Sequence, residues 1–141
     1  LPVVQEKYRG TPVYDLVKSE LITAAGYQGL ATYQSIAQLM GLPPAGSYMG
    51  REVGHVLGEI SEDEHLNGRP LLSALAVSVQ GVPSAGFYQF ARDVGRLDVA
   101  SDAAGERWFW EAERKALYKV WRRPARRASA REPEDVSAGL G

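Results

Sequence analysis

The Gly41-Leu42-Pro43-Pro44 turn constrains this chain most, because it breaks a stretch that otherwise reads as helix on both sides. Proline lacks the amide proton a helix needs and biases the residue before it toward extended backbone, so no helix continues through Pro43 and Pro44. Ahead of the turn, Thr32 is a suitable N-cap, and Tyr33, Ile36, Ala37, Leu39 and Met40 share one arc; together they predict a helix stopped by Gly41. Beyond it, Tyr48, Met49, Val53, Val56 and Leu57 recur at steps of three and four, with Arg51, Glu52, His55 and Glu59 between them. This spacing predicts a second helix over Gly46 to Gly58, and the pair makes a helix-turn-helix signature. Gly50, Gly54 and Gly58 recur every fourth residue of that helix, each costing about 1 kcal/mol relative to alanine. The strip implies that something packs close to the backbone there, either a partner helix or a ligand.

Elsewhere the patterning is mostly helical. Residues 1–10 lack a period and read as an extended arm or edge strand. Thr11-Pro12 caps and opens a helix carrying Val13, Leu16, Val17, Leu21 and Ile22 up to Gly26. Glu59 to Asn67 reads as a solvated acidic turn, since consecutive carboxylates do not converge on one ion without strain. Leu71 to Val79 follows Pro70 and is apolar on both faces, which predicts a strand buried on two sides, ended by Gln80-Gly81-Val82-Pro83 in a turn or short wing. Phe87, Phe90, Ala91 and Val94 predict a helix stopped by Gly95; Gly81 to Phe87 is either a wing loop near a ligand or a plain connection to this helix. Leu97 to Gly105 reads as a flexible loop. From Glu106 the longest helix is expected, with Phe109, Ala112, Ala116, Leu117, Val120 and Trp121 on its inner side and Trp108 and Trp110 flanking them.

With 141 residues, 45% hydrophobic and 23% charged, the chain is expected to form a single domain over 1–121, followed by a basic then acidic disordered tail over 122–141. No stretch is apolar enough to span a membrane, and no signal peptide is expected, so a cytoplasmic protein is the default. The absence of cysteine excludes disulfides and thiolate chemistry, and neither a metal nor another cofactor is expected. Charge is polarised: residues 1–113 hold 8 Lys/Arg against 14 Asp/Glu, whereas residues 114–131 hold 8 Lys/Arg and no acid. A basic segment is a handle for phosphates.

The segments Thr32-Tyr33-x-x-Ile36-Ala37 and Arg51-x-Val53-Gly54-x-x-Leu57-Gly58 resemble the C-terminal winged-helix domain of O6-alkylguanine-DNA alkyltransferases and alkyltransferase-like proteins, over roughly residues 20 to 90. The resemblance implies a mainly α fold with a small β element, a winged helix-turn-helix to which a long C-terminal helix is added. It also implies that Tyr33 presses on a DNA phosphate and that Arg51 is an arginine finger entering the base stack as a nucleotide flips out. In that family an Asn-x-x-Pro turn leads to a strand ending in Pro-Cys-His-Arg. Here Asn67-Gly68-Arg69-Pro70 leads to Leu71 to Val77, so the accepting cysteine and its histidine are missing.

The expectation is therefore a non-enzymatic protein that binds double-stranded DNA. Its candidate contacts are Thr32, Tyr33, Ser47, Tyr48, Arg51, His55, Arg69, Arg122, Arg123, Arg126 and Arg127. One alternative is a protein-interaction or regulatory domain on the same fold, favoured by the acidic cluster Glu52, Glu59, Glu62, Asp63 and Glu64, which would repel phosphates. Another is a metal-dependent nuclease using Glu59, Asp63 and His65, or a hydrolase using His55.

Overall fold

The computed structural model describes residues 3–123, and Arg126, Arg127 and the rest of the tail lie outside them. Helix α1 (Pro12–Gly26) is capped as the sequence predicts: the Thr11 hydroxyl oxygen accepts the Tyr14 N–H and proline takes the first turn. Its Val17, Leu21 and Ala25 are buried completely. Strand β1 (Ala31–Thr32) leads straight into α2 (Tyr33–Leu39), where the Thr32 hydroxyl accepts the Ser35 N–H at 3.1 Å. Gly41, at φ +74°, turns the chain out of α2, and the Leu42 N–H returns to the Ala37 carbonyl.

The next helix, α3 (Ser47–Leu66), corrects the sequence reading. It does not end near Gly58 but runs on through Glu59 to Leu66, the stretch expected to be a solvated acidic turn. Glu59 and Glu64 have no exposed surface, and Glu52 and Glu62 are 4% exposed. The periodicity was obscured because these inward positions are carboxylates rather than alkyl groups. Each finds a partner: Arg69 grips Glu64 with two hydrogen bonds of 2.7 and 2.9 Å, and Lys18 lies 3.4 Å from it.

The segment expected to be a strand over Leu71–Val79 is a 3-10 turn, Leu72–Leu75, followed by the two-residue strand β2 (Ala76–Val77). β2 lies parallel to β1, pairing Ala31 with Ala76 and Thr32 with Val77. Leu71 to Val77 is buried, and its 3-10 turn is in contact with α1, α3 and the C-terminal helix over Ala103–Val120, so it faces mainly helices, while Val79, expected inside, is 72% exposed. Side chains therefore satisfy its backbone: the Leu71 N–H donates to Glu113 Oε2 at 2.8 Å, the Ser73 N–H to the Ser61 hydroxyl, and the Trp110 indole N–H reaches the Ala74 carbonyl at 2.8 Å.

Helix α4 (Ala85–Asp93) buries Phe87, Phe90 and Ala91 and is followed by Gly95 at φ +82°. Helix α5 (Ala103–Val120) starts earlier than the predicted Glu106, because Asp102 accepts the Gly105 N–H as an N-cap. Its buried positions are Trp110, Glu113 and Leu117, while Ala112 and Val120, assigned to the inner side from the sequence, are exposed. Trp108 is 73% exposed. The described chain is thus mainly α, five helices around one buried segment with a two-stranded parallel sheet. No described helix is long and apolar enough to cross a membrane.

The Glu64 site gives a stability test. Removing one partner of an ion pair strands the other, and Glu64 is the fully buried partner, so Arg69→Ala is expected to lose about 3–5 kcal/mol in urea unfolding. Combining Glu64→Leu with Arg69→Met, which removes both charges, should recover most of that loss.

Candidate functional site

Residues 3–9 form neither helix nor strand; they are a strap laid across α3, and the row of carboxylates on that helix holds it. Glu59, with no exposed surface, accepts the backbone N–H groups of Lys7, Tyr8 and Arg9 at 3.1, 2.8 and 2.8 Å. Glu62 accepts from the N–H groups of Val3 and Val4 and from the Arg9 guanidinium at 3.1 Å. Arg9 also reaches Asp63 at 3.1 Å, and the Tyr14 hydroxyl donates to the same carboxylate. Glu52 takes the Lys7 ammonium at 2.6 Å and the Tyr8 hydroxyl. The hydrogen bond from Lys7, followed by that from Tyr8, pulls the Glu52 carboxyl below its usual range, and burial with the Glu52 contact pushes the Tyr8 phenol up to about 12.

This packing redistributes the residues expected to touch DNA. Arg69 is spent on Glu64, and its carbonyl accepts from Arg96 at 2.8 Å, so it braces α3 from within and is not a free cation. His55 Nε2 lies 2.6 Å from the Gln5 carbonyl and 3.3 Å from Glu59, under the strap. Thr32 serves as the cap of α2. The Tyr33 hydroxyl accepts the Ser84 N–H at 2.8 Å and ties α2 to the start of α4. Arg122 and Arg123 are exposed, the latter 4.4 Å above the Tyr27 ring.

What stays free is one face of the first turns of α3. Ser47, Tyr48, Gly50, Arg51 and Gly54 are all exposed. The Arg51 side chain is 66% exposed, with its guanidinium 5.6 Å from the Tyr48 ring and Nε 3.7 Å from Glu52. Beside this surface, between α3 and α4, runs a groove of about 400 Å³ lined by Val4, Tyr33, Met49, Leu57, Phe87 and Phe90 together with Gly50, Gly54 and Gly58. Nothing in the residue pattern signals that Lys7, Tyr8 and Arg9 dock on α3, since an irregular strap has no period. The residues of the nuclease reading have other partners: Glu59 and Asp63 hold the strap, and His65 Nδ1 accepts from Arg96 at 2.8 Å; among the described residues no group of three ligands is placed to hold a metal ion.

Compared with known proteins, the chain matches no family model, no curated protein and no solved structure. The alkyltransferase-like resemblance therefore stands on the residues of Thr32 to Gly58 alone.

The strap's contacts set a pH window. Glu52, with its folded pKa lowered, contributes stability above its ordinary value of 4.5 that is lost as pH falls through the lower folded value. Tyr8, with its pKa raised, contributes stability below 10.0 that is lost as pH rises toward about 12. The stability gap between the wild type and Glu52→Gln, from denaturant titrations, is expected to be flat between these limits and to shrink beyond both.

Proposed function

We propose that this is a non-enzymatic DNA-binding protein of the alkyltransferase-like winged-helix type, which meets double-stranded DNA with the first half of α3. The observation that carries this reading is the exposure of the Arg51 side chain, at 66%, on the face of the first turns of α3 that the strap does not cover. A helix that follows a tight turn and offers residues of its first turns to solvent has the form in which recognition helices enter the major groove. Ser47 and Tyr48 flank Arg51 and supply hydroxyl groups for phosphate oxygens.

The acidic cluster on the same helix weighs less against DNA than its sequence suggests. Glu59 and Glu64 have no exposed surface, Glu52 and Glu62 very little, and all four, with Asp63, are engaged by Lys7, Arg9, Lys18, Arg69 or the backbone of the strap. Arg122 and Arg123 would add phosphate contacts. Without a cysteine, alkyl transfer has no nucleophile. A second reading, protein interaction through the same fold, draws on the apolar groove beside α3.

Arg51→Ala is expected to weaken binding of a DNA duplex about tenfold and to lower the salt slope by about one, read by fluorescence anisotropy at two salt concentrations. Arg69→Ala should instead lower stability. If Arg51→Ala binds duplex as the wild type does, the DNA reading fails.

A further inference from the structure

We propose that the groove between α3 and α4 is a docking site for an extended apolar segment of a partner protein, neutral or basic in charge, whose side chains seat on Gly54 and Gly50. The inference does not depend on the DNA reading.

The chain itself shows what such a seat accepts. Gly58, Gly54 and Gly50 lie on one line of α3, about 6 Å apart. At Gly58 the seat is filled: Val4 Cγ2 is 3.2 Å and Cγ1 3.5 Å from the position a Cβ would take. The occupant belongs to the strap, so a non-helical backbone delivers a β-branched side chain onto the bare helix. At Gly54 and Gly50 a Cβ would meet nothing within 4 Å. No close approach within the described residues calls for glycine there, although each costs about 1 kcal/mol of helix propensity relative to alanine. Both glycines open into the groove, whose apolar wall is made by Met49, Leu57, Phe87 and Phe90 and whose end is the Val3-Val4 part of the strap. A partner segment there would continue the line that Val4 begins.

The polar groups along the groove restrict the occupant further. Asp93 is its single charged residue, accepts a hydrogen bond from Gln89 at 2.9 Å, and has no ion pair among the described residues. Among the described residues no lysine, arginine or histidine lines the groove, so it suits neither a phosphate nor an acidic peptide, whereas a basic side chain finds a partner at Asp93. The Tyr33 hydroxyl accepts from the Ser84 N–H, which leaves its own proton to donate to a carbonyl of an extended backbone.

The test uses the full 141-residue chain and an acetylated peptide amide of three valines and one lysine, followed by amide NMR shifts. Saturable shifts are expected at Gly50, Gly54 and Gly86. The same peptide with glutamate in place of lysine should bind more weakly, and Asp93→Asn should abolish that preference. Gly54→Leu is expected to weaken the peptide at least about tenfold by filling the seat. Should Gly54→Leu fail to fold, Gly54→Ala fits the open space; it should raise the melting temperature while lowering affinity. The proposal is overturned if the peptide causes no saturable shift, if its shifts lie away from the groove, or if both Gly54 variants bind it as the wild type does. A duplex that loses affinity in the Gly54 variants while the peptide does not would assign the groove to nucleic acid and also overturn it.

Discussion

Glu59 lies at the centre of α3 with no exposed surface, and an ionised carboxylate there, unpaired, would cost several kcal/mol. Three successive backbone N–H groups of the strap converge on it, so an otherwise untenable position becomes an anchor. The dependence is mutual. Residues 3–9 have no helix or strand to satisfy their backbone, and Glu59 and Glu62 do so instead. Glu52 and Asp63 then fix the side chains of Lys7, Tyr8 and Arg9 at either end. Through these contacts the N-terminal segment becomes part of the fold.

A similar exchange holds the interior together. Leu71 to Val77 passes between helices where no neighbouring strand is available except the two residues of β1. Glu113, Ser61 and Trp110 reach in from α5 and α3 to take up its free N–H and C=O groups. Arg96 completes this arrangement, joining Glu113, His65 and the Arg69 carbonyl. Polar side chains on helices thus do for this segment what a sheet ladder would ordinarily do.

The two surfaces that remain open follow from where the strap stops. Its contacts on α3 run from Glu52 to Asp63, leaving Arg51 and Tyr48 in solvent on one side and Gly50 and Gly54 facing the groove on the other. A cationic probe and an apolar seat are therefore neighbours on the same helix, with different chemistry and different suitable partners.

By itself the sequence determined the local punctuation of the chain: the Thr11, Thr32 and Gly41 boundaries, the break at Pro43-Pro44, and helices wherever alkyl groups recurred at helical spacing. These features are legible because caps and turns act over a few residues and depend little on the rest of the molecule. Of the candidate site, Arg51 was legible as an outward position of a helix, whereas Tyr48, placed in the apolar stripe by its spacing, is 51% exposed, and of the glycine strip expected to be closely packed only Gly58 is, by Val4. Only the tertiary structure decided that the acidic stretch after Gly58 is helix, that Arg69 and His55 are engaged inside the protein, and that Leu71 to Leu75 curls into a 3-10 turn. The physical reason is that polar groups take the conformation in which they find partners, and for the acidic stretch and the Leu71 segment those partners lie some 12 to 59 residues away on the strap, α5 and α3, whereas Arg69 turns back only five residues to Glu64.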